Sequence, residues 1–357
     1  MKHFSLLTSL ALLAFTACEN PAPVANPQPK NVILMVGDGM GVSQLSSVLY
    51  ASDQPLALEQ FPVVGLSKTS SYSHKITDSA AGAAAFSFGQ KTYNKAIGMD
   101  KDSLPAETLL ETLHAQGWKT GLVATSSITH ATPASFFAHV KFRKYEEEIA
   151  TYLHRSGVDY FVGGGINYFN QRKDSLNYLD SLRAQGYHLV LDALPTAEEW
   201  KNEKLGCLIG ALEMPPMLSG RGDILGKASI QLLQRIKGEK PFFVMIEGSQ
   251  IDWGGHENQA DYLIAEMLDF NATIAQVLEF AKADGETLVI VTADHETGGF
   301  AIGSNEGKYN EIEYQFTTGH HTGAMVPVFA YGPGAEKFSG IYENTEIYHK
   351  IKQLIGF

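Results

Sequence analysis

A chain of 357 residues, 44% of them hydrophobic, is long enough for one large or two modest domains and can bury a sizeable core. Its net charge of −12, with no Lys/Arg-rich run, argues against a nucleic-acid groove. Cys207 is the only cysteine after Cys18, so packing and bound ions, rather than an intrachain disulfide, must hold the fold.

In chain order, residues 1–17 read as an export signal: Lys2 and His3, then an apolar run over 4–15 that is too short to span a bilayer, then Thr16-Ala17. The ending resembles a bacterial lipobox, in which Cys18 becomes the lipidated first residue; ordinary cleavage beside a chance cysteine is the alternative. Membrane contact is expected only through that anchor, in a periplasmic or outer-membrane lipoprotein. Residues 18–30 are proline-rich, as a semi-extended tether would be, and 31–357 form the expected catalytic domain.

Four β-rich apolar runs stop at polar or charged groups. Run 31–36 precedes Gly37-Asp38-Gly39, run 120–124 precedes Thr125-Ser126, run 242–246 precedes Glu247, and run 287–292 precedes Asp294-His295. Runs at 160–162 and 326–331 share this character, and helical patterns at 106–116, 224–237 and 261–282 lie between. That alternation predicts an α/β three-layer sandwich, a mainly parallel sheet covered by helices on both faces. Ligands in such sheets bind beyond the carboxyl ends of the strands, where these acids gather.

Within ITDSAAGAAAFSFG, the helix-forming row after Ser79 predicts a helix whose N-terminus faces the serine and favours an anion there. Asp78 and Ser79 are equally the residues that ordinary N-caps select. Further on, Asp252 and His256 are four apart, on one side of a helical turn, although Gly254-Gly255 weakens the helix. His320 and His321 fall in a glycine-flanked loop, where His320 reads as a surface residue. Asp with two His suits zinc with an open position; carboxylates with a hydroxyl suit magnesium.

Taken together, NVILMVGDGMG, ITDSAAGAA, THATPASFFAHVKFR, FFVMIEGSQIDWGGH, VIVTADHETGG and HHTG resemble the alkaline phosphatase family, in order over nearly the whole chain after the tether. The resemblance implies two zinc ions and one magnesium ion. It implies Asp252, His256 and His321 on the first zinc, and Asp38, Ser79, Asp294 and His295 around the second. Asp38 would bridge to a magnesium held by Thr132 and Glu247, Ser79 would be the nucleophile, and Arg143 would grip the phosphate. His130 and Trp253 would border the substrate, standing where the enterobacterial pattern has aspartate and lysine, so the third site is open to zinc as well as magnesium.

The function implied is hydrolysis of phosphate monoesters outside the cytoplasm through a phosphoserine. A phosphodiesterase or sulfatase of the same superfamily is one alternative, but sulfatases need a C/S-x-P-x-R context and Ser79 is followed by Ala80-Ala81. A noncatalytic metal- or phosphate-binding lipoprotein is the other; it could dispense with Ser79 and Arg143, and their joint presence disfavours it. The short stretch between His295 and His321 reduces the insertions that support dimers in many relatives, leaving monomer or homodimer open.

Overall fold

The computed structural model describes residues 28–53 and 55–357; the export signal, Cys18 and the tether up to residue 27 lie outside the described residues. Its strands are β1 Asn31–Gly37, β2 Val63–Lys68, β3 Lys119–Ser127, β4 Tyr160–Gly164, β5 Tyr187–Leu191, β6 Lys204–Leu208, β7 Phe242–Gly248 and β8 Thr287–Thr292. After them come β9 Glu296–Thr297, β10 Phe300–Asn305, β11 Lys308–Phe316, β12 His321–Thr322, β13 Val326–Tyr331 and β14 Gly340–Glu343.

Ten of these form one sheet in the order β14-β2-β13-β8-β1-β7-β3-β4-β6-β5. Every pairing from β8 to β5 is parallel, and β13 alone runs against its neighbours β8 and β2. The expected α/β sandwich is therefore present. Strand β1 shows why its sequence is apolar throughout: Val32, Leu34 and Val36 enter one core while Ile33 and Met35 enter the core on the opposite face. Helices Ile224–Ile236 and Ala260–Asp284 cover the second face, and helices Ser79–Phe88 and Thr345–Leu354 the first.

Two local differences from the sequence reading have clear causes. The helix expected over 106–116 runs Leu109–Ala115, because Thr108 and Glu111 close a reciprocal capping box that starts it there. The helix Ile251–His256 forms despite its paired glycines, for a packing reason: a Cβ on Gly254 would lie 2.5 Å from the Leu263 amide nitrogen. Glycine lets that turn press against the long helix behind it.

The order β8-β1-β7-β3 sets four neighbouring strand ends side by side, bringing Asp294-His295, Asp38, Glu247 and the 125–127 segment to one edge. Beyond β8 the chain makes the exposed β10–β11 hairpin and returns, pairing His321 with Thr297 and Thr322 with Glu296. That return delivers His321 to the same edge.

Candidate metal centre

Ser79 begins its helix, and Asp78 caps it by accepting from the Ala81 amide at 3.1 Å. The row of small residues lets this helix sit close against the end of β8: a Cβ on Gly82 would fall 2.9 Å from Asp294 Cβ. The buried Ser79 hydroxyl consequently lies 3.2 Å from His295 Nε2 and 3.5 Å from Asp38 Oδ1.

Three groups of side chains each bring ligand atoms within 4.8 Å of one another: Asp252, His256 and His321; Asp38, Asp294 and His295; and Asp38, His130 and Glu247. In the first, His256 Nδ1 faces the Gly319 carbonyl at 2.8 Å and His321 Nδ1 the Thr77 carbonyl at 2.9 Å. A carbonyl only accepts, so both Nδ1 atoms carry the proton. The two Nε2 lone pairs then confront each other at 3.0 Å, with Asp252 oxygens 3.4 and 3.5 Å away. Facing lone pairs repel unless a cation lies between them, so this donor set suits zinc.

The second group is joined to the first by Thr297, which sequence reading did not single out. Its hydroxyl donates to Asp252 Oδ1 at 2.5 Å and so accepts from His295 Nδ1 at 3.2 Å, turning His295 Nε2 toward Asp38, Asp294 and Ser79. The His295 and His321 rings stack at 3.5 Å. In the third group Glu247 Oε2 accepts from Ser249 and Ser126, while Glu247 Oε1 and Asp38 Oδ2 are buried and have no hydrogen-bond partner among the described residues. Orphaned carboxylate oxygens of this kind suit a hard cation. Thr132 is buried on the single turn Ala131–Ala134, which His130 immediately precedes.

Electrostatics agree with a site built for cations. Burial, reinforced by Asp294, Asp252 and Glu247, raises Asp38 well above the usual carboxylate range, and burial lifts Glu247 to about 7. Burial works to raise Asp294 too, but the adjacent His295 outweighs it and holds Asp294 low, while Asp294 in turn raises His295. Burial, with Arg143 alongside, lowers His130 to about 3; burial, with His295 alongside, lowers His321 to about 4.

Arg143 is stretched between two acceptors, donating from Nη1 to Asp78 Oδ2 at 3.1 Å and from Nη2 to His130 Nε2 at 3.0 Å. The half-buried Trp253 meets His130 edge-on, ring centroids 6.0 Å apart, so the two departures from the enterobacterial pattern are neighbours. His320, as expected, is exposed. A cavity of about 630 Å3 beside the Arg143 segment, lined by Lys144, Glu146, Tyr168 and Arg172 among others, contains none of the ligand groups. Missing from the sequence reading were Thr297, Ser249 behind Glu247 and the carbonyls of Thr77 and Gly319, while Ser126 stands there only as the end of a strand run. The hydroxyls lay inside or beside quoted motifs, whereas a backbone carbonyl leaves no mark on a sequence.

Residues 29–313 and 304–357 match the family profile described as "Alkaline phosphatase". The structure of alkaline phosphatase from the Antarctic bacterium TAB5 is 49% identical, with a TM-score of 0.91, covering 93% of this chain and 99% of that one. A TAB5 variant with a histidine replaced by aspartate, described with Mg bound in the M3 site, is 48% identical over the same shares, with a TM-score of 0.90. Alkaline phosphatase 3 of Bacillus subtilis is 35% identical over an alignment 409 positions long, covering 89% of this chain and 87% of that protein.

Proposed function

This chain belongs to the alkaline phosphatase family and hydrolyses phosphate monoesters, and from that premise we propose that it does so through a phosphoserine on Ser79 at a centre of two zinc ions and one magnesium ion. The observation that carries the proposal is the Ser79 hydroxyl between His295 Nε2 and Asp38 Oδ1, at the start of a helix whose cap also holds Arg143.

In this reading Asp252, His256 and His321 hold one zinc, and Asp38, Asp294 and His295, with Ser79, the other. Asp38, Thr132 and Glu247 hold the magnesium, beside His130. When bound, the metals supply Lewis-acid stabilisation of the entering and leaving oxygens and lower the pKa of the serine hydroxyl. Asp78 and His130 keep Arg143 extended, and its fork of donors grips two nonbridging oxygens of a dianionic monoester. Ser79 Oγ bonds to phosphorus as the bond to the alcohol breaks. Water then cleaves the Ser79 ester, releasing inorganic phosphate and restoring the hydroxyl.

Export and lipidation on Cys18 belong to the same proposal, resting on the signal over 1–17. Mass spectrometry of the mature N-terminus should find diacylglycerol on Cys18; an unmodified terminus elsewhere rejects that part. Among the described residues no helix is long and apolar enough to cross a membrane.

The test of the mechanism is Ser79→Ala, which should abolish the phosphoenzyme while retaining zinc. Alongside it, hydrolysis of an aryl phosphate is followed before and after chelation. Phosphoserine trapped at another position, or undiminished turnover by zinc-free protein, overturns the proposal.

A further inference from the structure

Between the serine helix and Arg143 lies a short turn that the mechanism above does not use. Ala96 N–H bonds the Tyr93 carbonyl at 3.3 Å, closing a β-turn with Asn94 and Lys95 at its centre, and Lys95 has φ of 78°. Positive φ at the third position of a turn favours glycine or asparagine, and lysine adopts it only under constraint.

Every part of Lys95 holds the neighbourhood of Arg143. Its amide donates to Asp78 Oδ1 at 3.0 Å, the carboxylate whose other oxygen accepts from Arg143 Nη1. Its carbonyl accepts from the Arg143 amide at 2.8 Å. Its ammonium lies 5.5 Å from the ring centroid of Phe142, the residue before Arg143. On the flanks, Asn94 binds the Ile76 carbonyl through its side chain and the Ser73 hydroxyl through its amide, at 3.1 Å each. Ile97 and Val140 exchange both backbone hydrogen bonds, at 2.9 and 2.8 Å.

We propose that Lys95 is a positioning residue for Arg143, a left-handed turn residue whose main chain sets the distance between the Ser79 helix cap and the arginine that receives the phosphate. This deepens the phosphate role given to Arg143 above and rests on it. The main chain carries the effect: the amide and carbonyl of Lys95 grip the two ends of the Asp78–Arg143 pair, and they point that way only at positive φ. The lysine side chain adds a contact with Phe142.

The test compares Lys95→Pro, Lys95→Val and Lys95→Gly by calorimetric binding of inorganic phosphate to the metal-loaded protein. Proline removes the amide donor and fixes φ negative, so phosphate binding should weaken by about tenfold or more, the scale of one charge-assisted hydrogen bond. Valine keeps the donor but strains at this φ, and should fall between the others. Glycine adopts the φ freely and should lose about threefold at most, from the missing ammonium–ring contact. In an Arg143→Ala background, Lys95→Pro should cause little further loss.

Equal losses for Lys95→Gly and Lys95→Pro would assign the effect to the lysine charge and overturn the proposal. So would an undiminished Lys95→Pro effect without Arg143, or unchanged binding in a folded, zinc-replete Lys95→Pro or Lys95→Val protein. Arg143→Ala alone tests the parent reading: if it leaves phosphate binding intact, the phosphate role of Arg143 fails whatever the Lys95 series shows.

Discussion

Thr297→Val removes one buried oxygen and little volume, from a residue with no solvent exposure. The lost hydroxyl donates to Asp252 at 2.5 Å and accepts from His295 Nδ1 at 3.2 Å, so a single change releases one side chain in each of two metal groups. Partners that orient metal ligands typically account for ten- to hundredfold in affinity, or about 1.4–2.7 kcal/mol. Free to rotate, His295 would no longer present Nε2 to Ser79 and the two aspartates. Zinc affinity, measured by competition with a chelator of known affinity, should therefore weaken ten- to hundredfold, and Thr297→Ser should recover most of it. The metal-free protein should also lose about 1–3 kcal/mol from the unpaired groups, seen as a lower denaturant midpoint. A Thr297→Val protein that binds zinc as tightly as wild type would refute the reasoning.

Arg143→Ala should reduce kcat/KM for an aryl phosphate monoester by more than tenfold, since each charge-assisted hydrogen bond is worth about 1.5–3 kcal/mol; equal losses on a diester would remove the clamp role. His130→Asp with Trp253→Lys places an ion pair where the two rings now meet. It should tighten phosphate inhibition, raise magnesium retention and lower the maximal rate at alkaline pH, and unchanged inhibition in a folded, fully metallated variant would count against it. Relative to Glu247→Gln, the metal-stripped wild type should lose stability as pH rises from about 4.5 to about 7. Burial lifts Glu247 to about 7, so the folded state holds that proton more tightly than the unfolded chain, and the stabilisation fades as pH climbs through that value. The lowered His130 and His321 act in the opposite sense as the unfolded chain gives up protons around pH 6.5, but Glu247→Gln carries the same two histidines, so the comparison isolates Glu247. Thermal unfolding of both proteins on either side of neutral pH should show the wild type losing stability relative to Glu247→Gln as pH rises, and a difference that stays constant or moves the other way would contradict the account.

The sequence by itself determined the architecture and which side-chain types gather at the candidate site, because both depend on local pattern. Short, β-rich apolar runs such as 31–36, closed by glycine and polar residues, read as strands buried on both faces, and acids at their carboxyl ends mark the ligand edge of a parallel sheet. The quoted motifs also contain every member of the three candidate ligand groups, although His130 reads there as bordering the substrate rather than as a ligand. What they did not contain was the strand order β8-β1-β7-β3, which makes four separate strand ends adjacent, or the β9–β12 register that stacks His321 on His295 across the hairpin. Nor did they contain the proton positions: His256 and His321 present their Nε2 atoms because the carbonyls of Gly319 and Thr77 occupy Nδ1. The same division holds for glycine, which lowers helix propensity wherever it appears in a sequence. Only the approach of Gly82 to Asp294 and of Gly254 to Leu263 reveals why the cost is accepted there. Strand order, register and tautomer are set by contacts between residues distant in the chain, so they became determinate only when the whole sheet had formed.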